Sequence, residues 1–249
     1  MYQLLQQLAK EGDKRSIARC ISLIENNAAG SQTLCPTSEQ PDVVPVIGIT
    51  GPPGAGKSTL VDQLISAYVE DGKRLAVICV DPSSPFHHGA VLGDRIRMSR
   101  WYNNPSVYIR SLATRGALGG LPPAIGAVVE FIRSCAFGLV ILETVGVGQS
   151  EVSVAALADL SIVVLVPEAG DEIQFMKAGL MEVADIFVVN KSDRIDADLF
   201  TSQLTNLLHI SSRSPDAEIP HIVNTVATTG VGINELKSVI DQFINKAKK

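Results

Sequence analysis

One short segment, Gly51–Ser58, constrains the fold of this chain more than any other. It reads G-P-P-G-A-G-K-S and follows the apolar run Val43–Thr50. The pattern G-x-x-x-x-G-K-[ST] lets backbone N–H groups close around a phosphate, with a lysine for the outer phosphates and a hydroxyl for Mg²⁺. Because Thr59–Glu70 reads as a helix, a phosphate here would lie at a helix N-terminus, where the helix dipole is positive. The chain is therefore predicted to bind a nucleotide.

Apolar strand patterns alternate with helical patterns from Val43 onward. The predicted strands are Val43–Thr50, Arg74–Val80, Ser106–Arg110, Leu139–Leu142, Leu160–Val166, Ile186–Val189 and His221–Asn224. The other predicted helices in this part are Leu121–Arg133, Asp171–Val183, Ala197–His209 and Ile233–Lys248. Near-continuous apolar strands separated by helices predict an α/β fold, a P-loop NTPase with a mainly parallel sheet covered by helices on both faces. Ligands of such sheets bind at the carboxyl ends of the strands.

The N-terminal part has a different pattern. Gln3–Asn26 carries apolar residues at helical spacing and predicts two short helices broken near Gly12. Asn27–Pro45 is rich in turn-forming residues and is predicted to be a linker. We therefore expect a helical extension with its linker over residues 1–42 and a P-loop domain over residues 43–249.

Composition excludes several function classes. The net charge of −5 and pI near 5.4 disfavour a general nucleic-acid binder, which needs clustered Lys and Arg. No apolar run reaches the roughly 18 residues of a membrane span, and Met1–Lys14 lacks the apolar core of a signal peptide. The four cysteines form no C-x-x-C pair, and Cys79 is expected to be a reduced, buried thiol. We expect a cytoplasmic protein that binds neither nucleic acid nor membrane.

A second motif, Asn190–Asp193, reads N-K-S-D and follows the apolar strand Ile186–Val189. An aspartate at this place accepts hydrogen bonds from the ring N–H and the exocyclic amine of guanine, a donor pair that adenine lacks. The motif predicts guanine recognition, with Asn190, Lys191 and Asp193 at the base. After the last strand, the backbone at Val226 and Ala227 is a further candidate for a contact with the base.

A third motif begins at Glu143, where the predicted strand Leu139–Leu142 runs into E-T-V-G-V-G-Q. An acidic residue at a strand end beside the phosphate loop can hold Mg²⁺, usually through water. The Gly146 N–H is then available to the γ-phosphate. Gln149 is a candidate for positioning the attacking water.

Two further carboxylates, Asp81 and Asp94, lie in the stretch that follows the second strand. Both are candidates for the Mg²⁺ site or its water network, and turn or helix-cap roles are the alternative. His87-His88 lies between them and is read as a loop pair, since no cysteine or further histidine is near in sequence. The complete set of candidate nucleotide ligands in the phosphate loop is Gly51, Pro52, Pro53, Gly54, Ala55, Gly56, Lys57, Ser58 and Thr59.

These residues together resemble the MeaB/ArgK-type GTPases, the metallochaperones of adenosylcobalamin-dependent methylmalonyl-CoA mutase. The matching segments are GITGPPGAGKST, VDPSSP, LGDRIRM, ALGG, ETVGVGQSE, GDEIQFMKAG, ADIFVVNKSD and KRSIARCISLIEN. The resemblance runs from about Lys14 to the end of the chain. It implies a GTPase, often homodimeric, that binds GTP and GDP with Mg²⁺ and gates the loading of cobalamin into an acyl-CoA mutase and protects that enzyme.

The resemblance also assigns roles by position. Lys57 and Ser58 match the phosphate and Mg²⁺ ligands, whereas Asp81, Asp94 and Glu143 match carboxylates on the Mg²⁺ side. Asn190 and Asp193 match the base readers. Asp171–Lys177 matches a segment through which chaperone and mutase communicate, and Lys177 matches a lysine implicated in partner-stimulated hydrolysis.

The chain departs from the family pattern at three places. Phe86–Gly89 stands where relatives usually carry Thr and Gly, and Pro122-Pro123 replaces a polar, often basic helix start. The sequence given ends after Ile233–Lys249, where many relatives continue into a helical arm used to dimerise, so a homodimer is an open expectation.

Three alternatives share part of this pattern. A nickel-insertion GTPase has the same phosphate loop and guanine reader but needs a Cys/His metal cluster. A regulatory module could use GTP as a switch with little catalysis. A small-molecule kinase is disfavoured because N-K-S-D implies guanine and no pocket for an acceptor substrate is legible.

Overall fold

Seven parallel strands form the centre of the protein. The computed structural model describes residues 2–35, 44–81, 98–114, 121–144, 154–167, 181–211 and 219–247. The strands are β1 Val46–Thr50, β2 Leu75–Asp81, β3 Val107–Ala113, β4 Leu139–Thr144, β5 Leu160–Leu165, β6 Ile186–Asn190 and β7 His221–Thr225. They make one sheet in the order β3-β2-β4-β1-β5-β6-β7, with every strand pair parallel. The predicted fold class is confirmed.

Six helices among the described residues cover this sheet. They are α1 Tyr2–Lys10, α2 Lys14–Glu25, α3 Lys57–Glu70, α4 Ile125–Arg133, α5 Ala197–Ser211 and α6 Ile233–Ala247. Short 3₁₀ helices span Ser31–Leu34 and Ser99–Trp101, and Met181–Val183 forms a helical turn. Within the described part of the chain, no helix is both long enough and apolar enough to cross a membrane.

The side chains of the strands divide between the two faces of the sheet. On one face, odd-numbered β2 residues such as Val77 pack against α3 and α6. On the other face, Ala76 and Ile78 pack against α1, α2 and α4, and the opposite half of that face packs against α5. Every residue of β1, β2, β4, β5 and β6 is buried, as expected for parallel strands covered on both sides.

The N-terminal helices belong to this core. Asp13 caps α2 by accepting a hydrogen bond from the Ser16 N–H at 2.8 Å. Hydrogen bonds from the Ser16 side chain and then from its backbone N–H lower the pKa of the Asp13 carboxyl. Ile17 and Ile21 on α2 are fully buried against the sheet, and each such side chain stabilises the fold by about 1.5–3 kcal/mol. The division into residues 1–42 and 43–249 remains a prediction.

The structure corrects several predicted boundaries. Helix α3 begins at Lys57 rather than Thr59, so the lysine and the hydroxyl of the phosphate motif both lie in its first turn. The predicted start of the fourth helix at Leu121 is wrong, because Pro122 and Pro123 form a turn whose Pro122 carbonyl accepts from the Ile125 N–H at 3.0 Å. Of the predicted helix Asp171–Val183, only the end lies among the described residues.

The end of α3 is tied to the last helix by an ionic cluster around Asp241. Its carboxylate accepts hydrogen bonds from Lys237 at 2.9 Å, Lys73 at 3.1 Å and the Tyr68 hydroxyl at 3.3 Å. Lys237 also contacts Asp71 at 2.6 Å. Burial raises the pKa of Asp241, but the bonds to Lys237 and Lys73 outweigh it and hold that pKa below its ordinary value of 3.8.

We predict that Asp241→Ala lowers the free energy of unfolding by about 1–2 kcal/mol near neutral pH, because it removes three hydrogen bonds at a half-buried site. The pKa of Asp241 is lower in the folded protein, so its contribution is present above 3.8 and is lost as pH falls through the folded-state value. The pKa of Lys237 is raised, so its contribution is full below 10.5 and is lost as pH rises through the folded-state value.

Urea unfolding of both proteins at a series of pH values measures this difference. The exposed neighbour Gln242, changed to Ala, is the matched control on the same helix. A difference between wild type and Asp241→Ala that persists unchanged at pH 3 would contradict the assignment.

Candidate functional site

The loop that joins β1 to α3, Gly51–Gly56, is shaped by two glycines. Gly51 has φ of +136°, and a Cβ at this position would lie 2.1 Å from the carbonyl oxygen of Val164 in β5. Gly56 has φ of +90°, and its Cβ would lie 2.4 Å from the side-chain nitrogen of Asn190. L-residues with side chains rarely adopt such φ values, and both contacts are too short for any side chain. The motif therefore uses glycine where the loop closes against β5 and the Asn190 side chain.

The Lys57 side chain is held inside this loop. It is 6% exposed, and its ammonium group donates hydrogen bonds to the carbonyl oxygens of Gly51 at 2.7 Å and Pro52 at 2.9 Å. A buried ammonium group is tolerated only where acceptors surround it. The loop backbone thus positions one positive charge at the N-terminus of α3, where the helix dipole adds to it.

Oxygen ligands gather beside Lys57, on the face of the sheet that α3 covers. The Ser58 hydroxyl donates to a carboxylate oxygen of Glu143 at 2.7 Å, and Glu143 is 2% exposed. Asp81, also 2% exposed, is the last residue of β2. Since Cys79 pairs with Glu143 and side chains alternate along a strand, Asp81 and Glu143 share this face.

This ligand set fits Mg²⁺. The ion prefers hard oxygen donors and keeps several waters, so one hydroxyl and two carboxylates on a covered sheet face suit it. The other carboxylate oxygen of Glu143 lies 3.9 Å from the Cys79 sulfur. The prediction that Cys79 is a reduced, buried thiol is confirmed.

Asn190 connects the phosphate loop to the loop after β7. Its side-chain N–H donates to the Ala55 carbonyl at 2.8 Å, and its side-chain oxygen accepts from the Thr225 hydroxyl and the Ala227 N–H, each at 3.1 Å. The residue is 2% exposed. A single buried amide therefore joins three segments that are far apart in sequence.

The other residues of the second motif lie closer to solvent. Asp193 is exposed, and Lys191 has φ of +58° in the turn after β6. The Ser192 N–H donates to the Thr225 carbonyl at 3.0 Å, which places this turn beside the end of β7. Asp193 is thus accessible to a base bound at this end of the sheet.

Two backbone N–H groups near the base site are engaged within the protein. The Val226 N–H donates to the Val231 carbonyl at 3.0 Å, and the Ala227 N–H donates to Asn190. A contact between the Ala227 N–H and a base would therefore replace or share the bond to Asn190. This competition is not visible in the sequence.

Four predicted site residues lie outside the described part of the chain: Asp94, Gly146, Gln149 and Lys177. The same is true of His87-His88 and of Asp171–Lys177. Among the residues that are described, no group of three or more His, Cys, Asp or Glu side chains is arranged to hold a metal ion.

Sequence reasoning missed several polar contacts that shape the site. Thr144 at the end of β4 donates to the Thr50 hydroxyl at 3.0 Å, so the strand end that carries Glu143 is bonded to the residue before the phosphate loop. The contact between Thr225 and Asn190 was also missed. A polar residue at the last position of a strand is a signal that could have identified both threonines.

Comparison with protein families gives one match over most of the chain. The model described as methylmalonyl Co-A mutase-associated GTPase MeaB matches residues 17–249. A protein of Pyrococcus horikoshii that is named as a GTPase is 45% identical over 240 residues, which is 94% of this chain and 74% of that protein. The GTPase ArgK of Escherichia coli is 34% identical over 243 residues, covering 94% of this chain and 73% of ArgK.

A mouse protein and two solved structures extend this comparison. The mouse methylmalonic aciduria type A homolog, a mitochondrial protein, is 36% identical over 200 residues, covering 79% of this chain and 48% of that protein. A crystal structure titled LAO/AO transport system kinase has a TM-score of 0.77 at 27% identity, covering 98% of this chain and 75% of that one. HypB from Helicobacter pylori, solved in complex with nickel, has a TM-score of 0.59 at 16% identity, covering 93% and 97%, and shares the fold.

We predict that Asn190→Ala lowers the free energy of unfolding by about 1–3 kcal/mol, because it leaves the Ala55 carbonyl and the Ala227 N–H without their buried partner. Affinity for guanine nucleotides should fall with it, since the phosphate loop and the loop after β7 are no longer joined. Urea unfolding and equilibrium binding of a fluorescent GDP analogue measure the two effects. Exposed Asn224, changed to Ala, is the matched control, and equal unfolding midpoints for wild type and Asn190→Ala would refute the prediction.

Proposed function

Because the chain belongs to the MeaB family of methylmalonyl-CoA mutase-associated GTPases, we propose that its GTP hydrolysis gates the loading of cobalamin into an adenosylcobalamin-dependent acyl-CoA mutase and protects that enzyme. The observation that carries the proposal is the family match over residues 17–249. The name of the mouse relative, which refers to methylmalonic aciduria, also supports a client of this kind. We further propose that the protein works in the cytoplasm, with a homodimer as its proposed assembly.

The phosphate loop and Lys57 would bind the triphosphate. In this proposal the Lys57 ammonium group exchanges its two backbone acceptors for oxygens of the β- and γ-phosphates. The loop N–H groups at the start of α3 donate to the same phosphates. As water attacks the γ-phosphate in line and GDP leaves, these donors stabilise the charge that develops on the transferred group.

Ser58, Asp81 and Glu143 would hold Mg²⁺, directly or through water, together with Asp94. The Ser58 hydroxyl would then turn from Glu143 toward the ion. When bound, Mg²⁺ neutralises charge on the phosphate oxygens and so assists their transfer. Glu143 would keep the waters of the site oriented through its carboxylate oxygens.

The base site would use Asp193 to accept two hydrogen bonds from guanine. Asn190 would hold the surrounding loops, and Lys191, Val226 and Ala227 would line the base. Gly146 would donate to the γ-phosphate, and Gln149 would position the attacking water.

We propose that intrinsic turnover is slow and that the client accelerates it. The sequence motifs assign no arginine to the transferred phosphate, so we propose that the client supplies part of the stabilisation of the transition state. Lys177 and the segment Asp171–Lys177 are the proposed route by which the mutase supplies this acceleration.

The nickel-insertion alternative has no specific observation in its favour. The likeness to HypB is at 16% identity and concerns the fold. A GTP switch with little catalysis is the remaining alternative, and it differs from the proposal in one measurable property, which is stimulated turnover.

We predict that Asp193→Asn moves the nucleotide preference from GTP toward XTP by about 10²-fold, because an amide donor faces the 2-amino group of guanine but suits the carbonyl of xanthine. Competitive binding of the two nucleotides measures the ratio. Asp196→Asn, an exposed carboxylate in the same loop, is the matched control. A mutant that retains the wild-type GTP-to-XTP ratio would remove Asp193 from the base site.

The client hypothesis is tested by GTP turnover with and without the adenosylcobalamin-dependent acyl-CoA mutase of the same organism. We expect the mutase to raise turnover, and Lys57→Ala to lower turnover by at least about 10²-fold under both conditions. Removal of Mg²⁺ with a chelator should also stop hydrolysis. Turnover that the mutase leaves unchanged, in a wild-type protein that binds GTP, would reject this client.

A further inference from the structure

The outer edge of β3 carries backbone groups that the sheet does not use. β3 stands first in the strand order, and among the described residues only β2 pairs with it. The Leu75 N–H donates to the Ser106 carbonyl, and the Thr114 N–H donates to the Asp81 carbonyl. In a parallel ladder, these two bonds mean that the N–H and C=O groups of even-numbered β3 residues are hydrogen-bonded to β2. Those of Ile109 and Ser111 therefore face outward.

Among the residues that the structure describes, this edge lacks the features that usually protect an edge strand. Natural edges are shortened, bulged, or blocked with proline and inward-pointing charges. β3 runs for seven residues, V-Y-I-R-S-L-A, without proline or lysine. Its one charged side chain, Arg110, forms an ion pair with Glu25 at 2.6 Å and donates a hydrogen bond to the Ser22 hydroxyl at 3.1 Å. The edge is thus able to accept another strand.

A groove runs along this edge, with a volume of about 360 Å³. One wall is Lys14 and Ala18 of α2, and the other is Trp101 and Tyr102. These walls come from opposite faces of the sheet, since Trp101 packs on the α3 face and Ala18 packs with the α2 face. An edge set between two walls admits a single extended segment, whereas a second copy of this chain would bring its own α2 and Trp101 against them.

The charge of the groove favours an acidic occupant. Lys14 donates one of its three N–H groups to the Asn104 carbonyl, and two N–H groups remain for a ligand. Burial and the nearby Arg74 lower the pKa of Lys14, and a carboxylate at this point would act against both effects by stabilising the charged ammonium group. The chain as a whole is negative, at −5, and Arg110 is paired with Glu25, so Lys14 is the local positive charge that would attract a carboxylate to this groove.

We propose that the outer edge of β3 binds an extended, acidic segment of a partner protein by strand addition. The segment forms backbone hydrogen bonds with Ile109 and Ser111. One of its carboxylates meets Lys14, and a neighbouring apolar side chain packs between Trp101 and Tyr102. Within the described part of the chain, the buried Ser111 hydroxyl has no hydrogen-bond partner. This mode of recognition takes affinity from the backbone and selectivity from the side chains.

Ile109→Pro is the most direct test variant. Because the Ile109 N–H faces outward, proline at this position removes a donor to the partner and leaves the ladder between β2 and β3 intact. Lys14→Glu reverses the charge of the groove wall. Lys10→Glu on α1 is its matched control, since Lys10 is exposed and does not line the groove. Circular dichroism and the GTP turnover of each variant establish that the fold and the site are unchanged.

The probe is a displayed library of random peptides about eight residues long, the length of one strand. We expect selected peptides to be rich in Asp, Glu and β-branched residues. Their affinity should fall about tenfold or more with Ile109→Pro and Lys14→Glu and remain unchanged with Lys10→Glu. Amide exchange, followed by NMR, should be fast at Ile109 and Ser111 in the free protein and slow in the complex.

Four results would overturn the proposal. Selected peptides could bind Ile109→Pro as tightly as wild type, or could be basic rather than acidic. The amides of Ile109 and Ser111 could already be protected in the free chain, which would mean that the edge is occupied. Sedimentation could reveal a dimer that Ile109→Pro dissociates, which would assign the edge to a second copy of this chain.

Discussion

The position of β1 between β4 and β5 determines where every part of the candidate site lies. Both neighbours of β1 are parallel to it, so the carboxyl ends of the three strands meet at one edge of the sheet. The phosphate loop leaves this edge from Thr50, and its first glycine is pressed against the Val164 carbonyl in β5. On the other side, β4 brings Glu143 to the Ser58 hydroxyl. A different strand order would separate the carboxylates Asp81 and Glu143 from Lys57 and Ser58, although each motif would be unchanged in sequence.

Local patterns predict the elements of this fold well, because the buried strands are mainly apolar runs, and four of them, β1, β2, β4 and β6, end at a polar residue. All seven strands were predicted, and the structure extends β4 to Thr144 and β6 to Asn190. These extensions share a physical cause: a polar side chain can end a buried strand if it has a partner, and Thr144 and Asn190 both have one. Such partners come from distant segments, so periodicity alone cannot reveal them. For the same reason, the contact between Glu143 and Ser58 could not be predicted from the sequence pattern.

The N-terminal helices illustrate a second limit of sequence reasoning. Their spacing predicted two amphipathic helices but not the surface that they cover. In the structure the apolar residues of α2 pack against β2 and α4, and Glu25 at the end of α2 forms an ion pair with Arg110 of β3. The helix therefore supports one face of the sheet and forms one wall of the groove along β3. The sequence pattern presents the N-terminal helices as an addition to the domain, but in the structure they help to shape the edge of the sheet at β3.

Asn190 and Asp193 belong to one motif but have different roles in the structure. Both polar atoms of the Asn190 side chain are engaged inside the protein, in contacts that hold the phosphate loop to the loop after β7. Asp193 is exposed three residues later, at the end of the same turn. A change at the buried Asn190 amide disturbs the phosphate site and the base site together. Its side-chain nitrogen bonds to the phosphate loop, and its side-chain oxygen bonds to the loop after β7. A change at an exposed carboxylate alters only the ligand that it meets. Base selectivity in such a motif can therefore vary at the aspartate while the asparagine is constrained by the fold.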